Sequence, residues 1–248
     1  MLTALFADIH ANLPALEACL RHAQTSNAER HVFLGDLVGY GPEPAAVLDR
    51  IRAIEGAIVV QGNHDQAIEV EPKIRDLGNT AYEMVIWTRR TLSTEQKQYL
   101  GALPLMVRQD DCCFVHASAA QPEKWEYVLD AASARRSLEA AGTPYVFCGH
   151  VHDQTLYFKT PAGKVASFYP TSGDLVPVAR RRGGLAIVGS VGQPRDRNPA
   201  AAYAMFDSSA EHITFFRVPY DYRLTAARLR AIGLPVAELL AERMENAC

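Results

Sequence analysis

Leu2-Thr3-Ala4-Leu5-Phe6-Ala7-Asp8-Ile9-His10 is an apolar run that stops at two residues able to bind a metal. Four more runs end the same way. His31–Leu34 stops at Gly35-Asp36, and Ala57–Val60 stops at Gly62-Asn63-His64-Asp65. Cys112–Val115 stops at His116, and Tyr145–Cys148 at Gly149-His150-Val151-His152. Short apolar runs bounded by turn residues read as buried strands. In an open α/β sheet, ligands gather beyond the carboxyl ends of the strands, so these polar stops are expected to converge in space.

Between the runs lie helix signals. Asn12 can cap a helix whose first turn tolerates Pro14. Gly41-Pro42-Glu43-Pro44 opens a second helix with Val47, Leu48 and Ile51 at core spacing. A third is expected from about Asp76 to Arg90, and a fourth from the capping box Ser93/Gln96. Asp130 caps a fifth, through Leu138 to Gly142. Strands alternating with helices imply a mainly parallel sheet. After His152 the pattern changes to closely spaced runs, Thr155–Lys159, Lys164–Tyr169, Gly184–Gly189, Ala201–Asp207 and His212–Val218, which read as antiparallel hairpins. Helical signals follow at Asp221–Ile232 and Pro235–Met244. With no Gly/Ser/Pro-rich linker or internal repeat, residues 1–248 are expected to form one domain. Its expected class is α/β: a four-layer α-β-β-α sandwich of two mixed sheets packed face to face, with the metal candidates at the strand carboxyl ends.

Composition narrows the function. Of 248 residues, 48% are hydrophobic and 21% charged, which suits a globular core. The formal net charge of −3 gives no field for nucleic acid or a membrane surface. Arg180-Arg181-Arg182 is too short a basic run to change that. The five cysteines are odd in number and without CxxC spacing, which reads as reduced thiols in a cytoplasmic protein. No basic, signal-like leader precedes Asp8, and no apolar stretch nears the roughly 20 residues of a membrane span.

The donor set is chemically specific. Carboxylates, imidazoles and one amide, without thiolate, suit manganese, iron, zinc or nickel better than magnesium or calcium. A pair of such cations lowers the pKa of a shared water and clamps the oxygens of an in-line displacement. Phosphate esters need that device, because their anionic oxygens repel a nucleophile.

Asp8-Ile9-His10, Gly35-Asp36, Gly62-Asn63-His64-Asp65, His116 and Gly149-His150-Val151-His152, all present and in order, resemble the calcineurin-like metallophosphoesterases. The resemblance implies the same two-sheet sandwich, two divalent or mixed-valence transition metal ions with manganese favoured for activity, and hydrolysis of phosphomonoesters or phosphodiesters through a hydroxide bridging the metals. It implies that Asp8, His10 and His152 hold one metal, that Asn63, His116 and His150 hold the other, and that Asp36 bridges them. It casts His64 as the residue that contacts the substrate phosphate and protonates the leaving oxygen, with Asp65 able to hydrogen-bond it. The segment Gly189–Asp196 resembles the loop after the GHxH motif in small bacterial members of the family and carries Arg195.

Asn12, Tyr40 and Arg195 are candidate substrate contacts, with blander roles open to each. The helix capped by Asn12 is expected to aim its amino end at the metal face. Tyr40 can serve as a turn residue, and Arg195 as half of a surface ion pair with Asp196. His22, His31 and His212 read as packed histidines, and Trp87, Trp125 and Tyr203-Ala204-Met205-Phe206 as core. The rim that selects the substrate is expected in Glu69–Thr94 and in the hairpins after His152. Two other functions stay open: a protein-binding scaffold that has lost its chemistry, and a dimetal amide or guanidino hydrolase. The expected partner is a phosphoester; the sequence leaves its identity and the oligomeric state undecided.

Overall fold

Alternation along Leu2–Phe6 (β1) sets the architecture. Ala4 and Phe6 point to one face of the strand and Leu5 to the other, and both faces are buried. A strand buried on both sides needs a layer above and a layer below. The computed structural model describes residues 1–69 and 74–248, and the side chains of all these except 74–79.

β1 is followed by α1 (Leu13–Thr25), β2 (Arg30–Phe33), α2 (Pro44–Arg52), β3 (Ile58–Val59), α3 (Asn63–Glu69), α4 (Ile74–Thr91) and α5 (Thr94–Ala102). Next come β4 (Met106–Gln109), β5 (Cys112–Val115), a 3₁₀ turn at Pro122–Lys124, α6 (Ala131–Ala141) and β6 (Tyr145–Cys148). The hairpin region holds β7 (Thr155–Lys159), β8 (Val165–Phe168), β9 (Leu175–Pro177), β10 (Gly184–Ile187), β11 (Ala201–Asp207) and β12 (His212–Val218). Two helices, α7 (Tyr222–Ala231) and α8 (Ala237–Asn246), close the chain.

The strands form two six-stranded sheets, in the orders β3-β2-β1-β11-β12-β9 and β4-β5-β6-β10-β7-β8. Parallel pairing joins β1 to β2, β2 to β3, β5 to β6 and β6 to β10, and the remaining pairs are antiparallel. Both sheets are therefore mixed, as expected. Their facing sides share one core in which Leu5, Leu34 and Phe215 meet Phe114, Phe147 and Ala186. α1 and α2 cover the outer face of the first sheet through Leu16, Leu48 and Phe33, and α6 covers the second through Leu138 and Val146. A smaller cluster ties Met84 of α4 to Leu229, Leu240 and Met244 of the closing hairpin, with Tyr40 and Trp87 against it. No helix among the described residues is long and apolar enough to cross a membrane.

The capping boxes at Ser93 and Asp130 form, and Asn12 caps α1 through Ala15 N–H. Three elements escape sequence reading. β4 is an edge strand ending in exposed Arg108 and Gln109, β9 is three partly or fully exposed residues ending in proline, and α3 begins within the GNHD motif itself. Of the rim expected at Glu69–Thr94, residues 70–73 lie outside the described residues.

Candidate metal centre

Each parallel strand delivers its polar residues just past its last hydrogen-bonded position. The backbone there is unusual: Asp8, His10, Asp36, Tyr40, His150 and His152 all have positive φ, between 45° and 74°. For residues with a side chain this left-handed conformation costs about 1–2 kcal/mol each. Such strain persists where surrounding structure holds it, and it concentrates at functional sites. Glycines allow the loops to close in. A Cβ at Gly62 would collide with the Asp36 carboxylate, and one at Gly149 with that of Asp8.

Seven side chains named from the sequence meet at these turns. Asp8, His10 and His152 form one group and Asp36, His116 and His150 another, and a third, His10, Asp36 and His64, overlaps both. Asp36 Oδ2 lies between them, 3.8 Å from His10 Nε2 and 3.3 Å from His116 Nε2. Asn63 Oδ1 and His150 Nδ1 each sit 3.1 Å from His116 Nε2. His152 Nε2 is 3.4 Å from Asp8 Oδ1, a buried oxygen without a hydrogen-bond partner.

The proton positions follow from the partners. Nδ1 of His10, His116 and His152 faces the carbonyl of Val38, Leu34 and Gln193 respectively. A carbonyl only accepts, so each Nδ1 carries the hydrogen, and in the neutral ring Nε2 keeps the lone pair. Burial pushes His10 and His152 well below the ordinary histidine range, so both are neutral at pH 7. Their Nε2 atoms nevertheless face each other at 3.3 Å. Two lone pairs at that distance repel unless a cation lies between them. At the second group, burial pushes His116 down but Asp36 outweighs it, driving the imidazole up to about 9. Burial raises the Asp8 carboxyl to about 7. Burial also opposes ionisation of Asp36, yet the imidazoles around it hold its carboxyl well below the usual range. The buried carboxylates and imidazoles so grouped could hold metal ions.

His64 is placed at the start of α3, where its backbone N–H donates to Asp36 Oδ1 (2.9 Å). Its ring packs edge-on to His10 (centroids 5.1 Å) and tilted against Tyr40 (4.5 Å). Asp65 does not orient it. That carboxylate accepts from the N–H groups of Leu37, Val38 and Gly62, stapling the GD loop to the GNHD loop, while His64 Nδ1 is buried without a partner. Burial lowers the His64 pKa.

Of the candidate substrate contacts, Tyr40 lies against both His10 and His64. Arg195 is exposed, with one recorded bond to Gln193 Oε1, because Asp196 pairs with Arg217 instead. Asn12 needs correcting. It is 0% exposed, and its amide caps α1, donates to Gly192 O and Tyr220 Oη, and accepts from Thr225. Its polar atoms are committed to joining α1 to the closing hairpin. Asn12→Ala is expected to cost about 2–4 kcal/mol, from a lost cap and stranded buried partners, and to leave KM for a phosphoester unchanged. Denaturant unfolding beside steady-state kinetics checks this; an altered KM at unchanged stability would return Asn12 to the substrate.

Sequence reading also misplaced Trp125. It is not core: its ring meets His116 edge-on at 5.8 Å, and its indole N–H donates to Gln66 Oε1. Tyr127, to which the sequence reading gives no role, stacks on His150 with centroids 4.0 Å apart. The available signal was two aromatics in a polar run, Glu123-Lys124-Trp125-Glu126-Tyr127, too hydrophilic for a core strand.

Comparison with known proteins agrees with this geometry. A family model described as a calcineurin-like phosphoesterase superfamily domain matches residues 1–211. The solved structure of a metallophosphoesterase from Sphaerobacter thermophilus is 36% identical, covers 100% of this chain and 99% of its own, and superposes with a TM-score of 0.88. An uncharacterized protein of Methanocaldococcus jannaschii is 29% identical over 97% of this chain and 96% of its own length. Phosphodiesterase YfcE of Escherichia coli (strain K12) is 27% identical over 58% of this chain and 84% of its own.

Proposed function

The chain belongs to the calcineurin-like phosphoesterase superfamily, and from that premise we propose that it is a hydrolase of phosphomonoesters or phosphodiesters, including nucleotide-type substrates, that works with two metal ions. The observation that carries this reading is the pair of facing imidazole lone pairs, with the Asp36 carboxylate reaching both groups. Asp8, His10, His152 and Asp36 would hold one ion, and Asp36, Asn63, His116 and His150 the other; we favour manganese for activity. Bound there, the ions supply Lewis acidity and a nucleophile from water at neutral pH.

The chain's own residues do the rest. Backbone carbonyls at Val38, Leu34 and Gln193 lock three imidazoles in the ligating tautomer. His64 stands beside Asp36 and Tyr40, where it protonates the leaving oxygen. Neutral while alone in its buried setting, it gains basicity when an anionic phosphate arrives, so the substrate itself arms the acid. Arg195 is available to grip a phosphate oxygen. Four buried free cysteines support our placing the protein in a reducing cytoplasm.

A panel of mono-, di- and cyclic phosphoesters, run with added manganese beside a panel of amides and guanidines, tests the proposal. Metal-dependent turnover of a phosphoester, stopped by a chelator, is the expected result. Turnover confined to the nitrogen panel would identify a different hydrolase. Less than one ion per chain, with no turnover at all, would identify a scaffold.

A further inference from the structure

The loop joining β5 to α6 carries aromatic groups that metal binding does not use. It leaves β5 at His116 and turns through Pro122–Lys124, flanked by Gln121 and Trp125 at φ 61° and 55°. Two strained non-glycine residues around one turn show a loop held in shape by its surroundings. Trp125 holds it, through its bond to Gln66 of α3 and its contact with His116. Two residues on, Tyr127 lies nearly parallel to His150, at 4.0 Å and 21°. The His150 edge that points to the metal group is Nδ1, so the phenol covers the face of the imidazole and leaves its donor edge free.

Despite that contact, Tyr127 remains 50% exposed, and Leu129 beyond it is 67% exposed. A large aromatic at the mouth of a reactive centre, backed on one face by a fixed ring and open on the other, is a stacking platform. Resting on the phosphoester reading above, we propose that Tyr127 is a specificity residue whose free ring face stacks a nucleobase, so that the substrates are nucleoside phosphoesters, favoured over phosphosugars and other aliphatic phosphates. An aliphatic ester would leave that face in water and gain nothing from it. Stacking of one base on one aromatic corresponds to about 5- to 150-fold in affinity.

AMP and ribose 5-phosphate differ by the base alone, and their binding to the manganese-loaded protein, measured by calorimetry, isolates the contact. Wild-type protein is expected to bind AMP about 5- to 150-fold more tightly. Tyr127→Phe is expected to keep that preference, because the ring remains. Tyr127→Ala is expected to abolish it while leaving the affinity for ribose 5-phosphate and the metal content unchanged. Equal wild-type affinity for the two ligands would overturn the stacking assignment and leave the phosphoester reading intact, and this comparison needs no variant to fold. A Tyr127→Ala loss shared by both ligands, or a Tyr127→Phe loss as large as that of Tyr127→Ala, would overturn it too. Failure of AMP to bind would overturn it as well, and with no turnover across the phosphoester panel it would sink both readings together.

Discussion

Asp36→Asn is expected to abolish turnover and to empty both metal positions at once. Asp36 Oδ2 faces His116 Nε2 on one side and His10 Nε2 on the other, and Oδ1 is tied to the His64 N–H. Its Oδ2 thus lies within 4 Å of imidazoles from both groups. Asparagine keeps the shape, and with it the fold, but removes the charge that offsets two buried cations. It can also present an amide N–H where an oxygen lone pair is needed. The loss in kcat/KM is expected to reach at least ~10³-fold, about 4 kcal/mol of transition-state stabilisation. Metal analysis and hydrolysis of an aryl phosphate, on protein whose melting temperature matches the wild type, measure it. Full activity would refute the shared-carboxylate assignment.

His64→Ala is expected to divide substrates by their leaving groups. An alkoxide needs a proton as the P–O bond breaks, so alkyl phosphoesters are expected to slow by ~10²–10⁴-fold. A nitrophenolate leaves without help and is expected to lose far less. The ring makes no hydrogen bond with Asp65, so its proton is not relayed from that carboxylate, and Asp65→Asn is not expected to reproduce the pattern. Equal losses on both ester types would show that His64 binds phosphate without transferring a proton.

Much of the architecture was legible because each buried parallel strand announces its own end. A run such as Tyr145–Cys148 is apolar on both faces, and the first polar residues after it must leave the sheet where parallel neighbours also end. That rule brought Asp8, Asp36 and His150 together on paper, and the structure places them together. Helix caps were readable for a similar reason, since the Ser93 and Asp130 side chains bond within their own turn. What escaped depends on distant partners. β9 pairs as an edge strand with β12, a contact that its own three residues do not encode. Asp65 chose three backbone N–H groups over the adjacent imidazole, and Asn12 found Tyr220 and Thr225 far along the chain. Tyr127 sits on His150 because a strained turn points it there, and strain leaves no mark in composition.

The strand-end turns also hold the candidate ligands together. Positive φ at Asp8, Asp36 and His150 forces their side chains inward, and the Asp8 Oδ2–His150 N–H bond joins the two sheets at the centre of the ligand set.

Anomalous diffraction from crystals grown with manganese measures the central claim most directly. Two peaks per chain are predicted, one enclosed by Asp8, His10 and His152, the other by Asn63, His116 and His150, with Asp36 reaching both. A single peak that leaves Asp36 out, or no peak at these seven side chains, would contradict it.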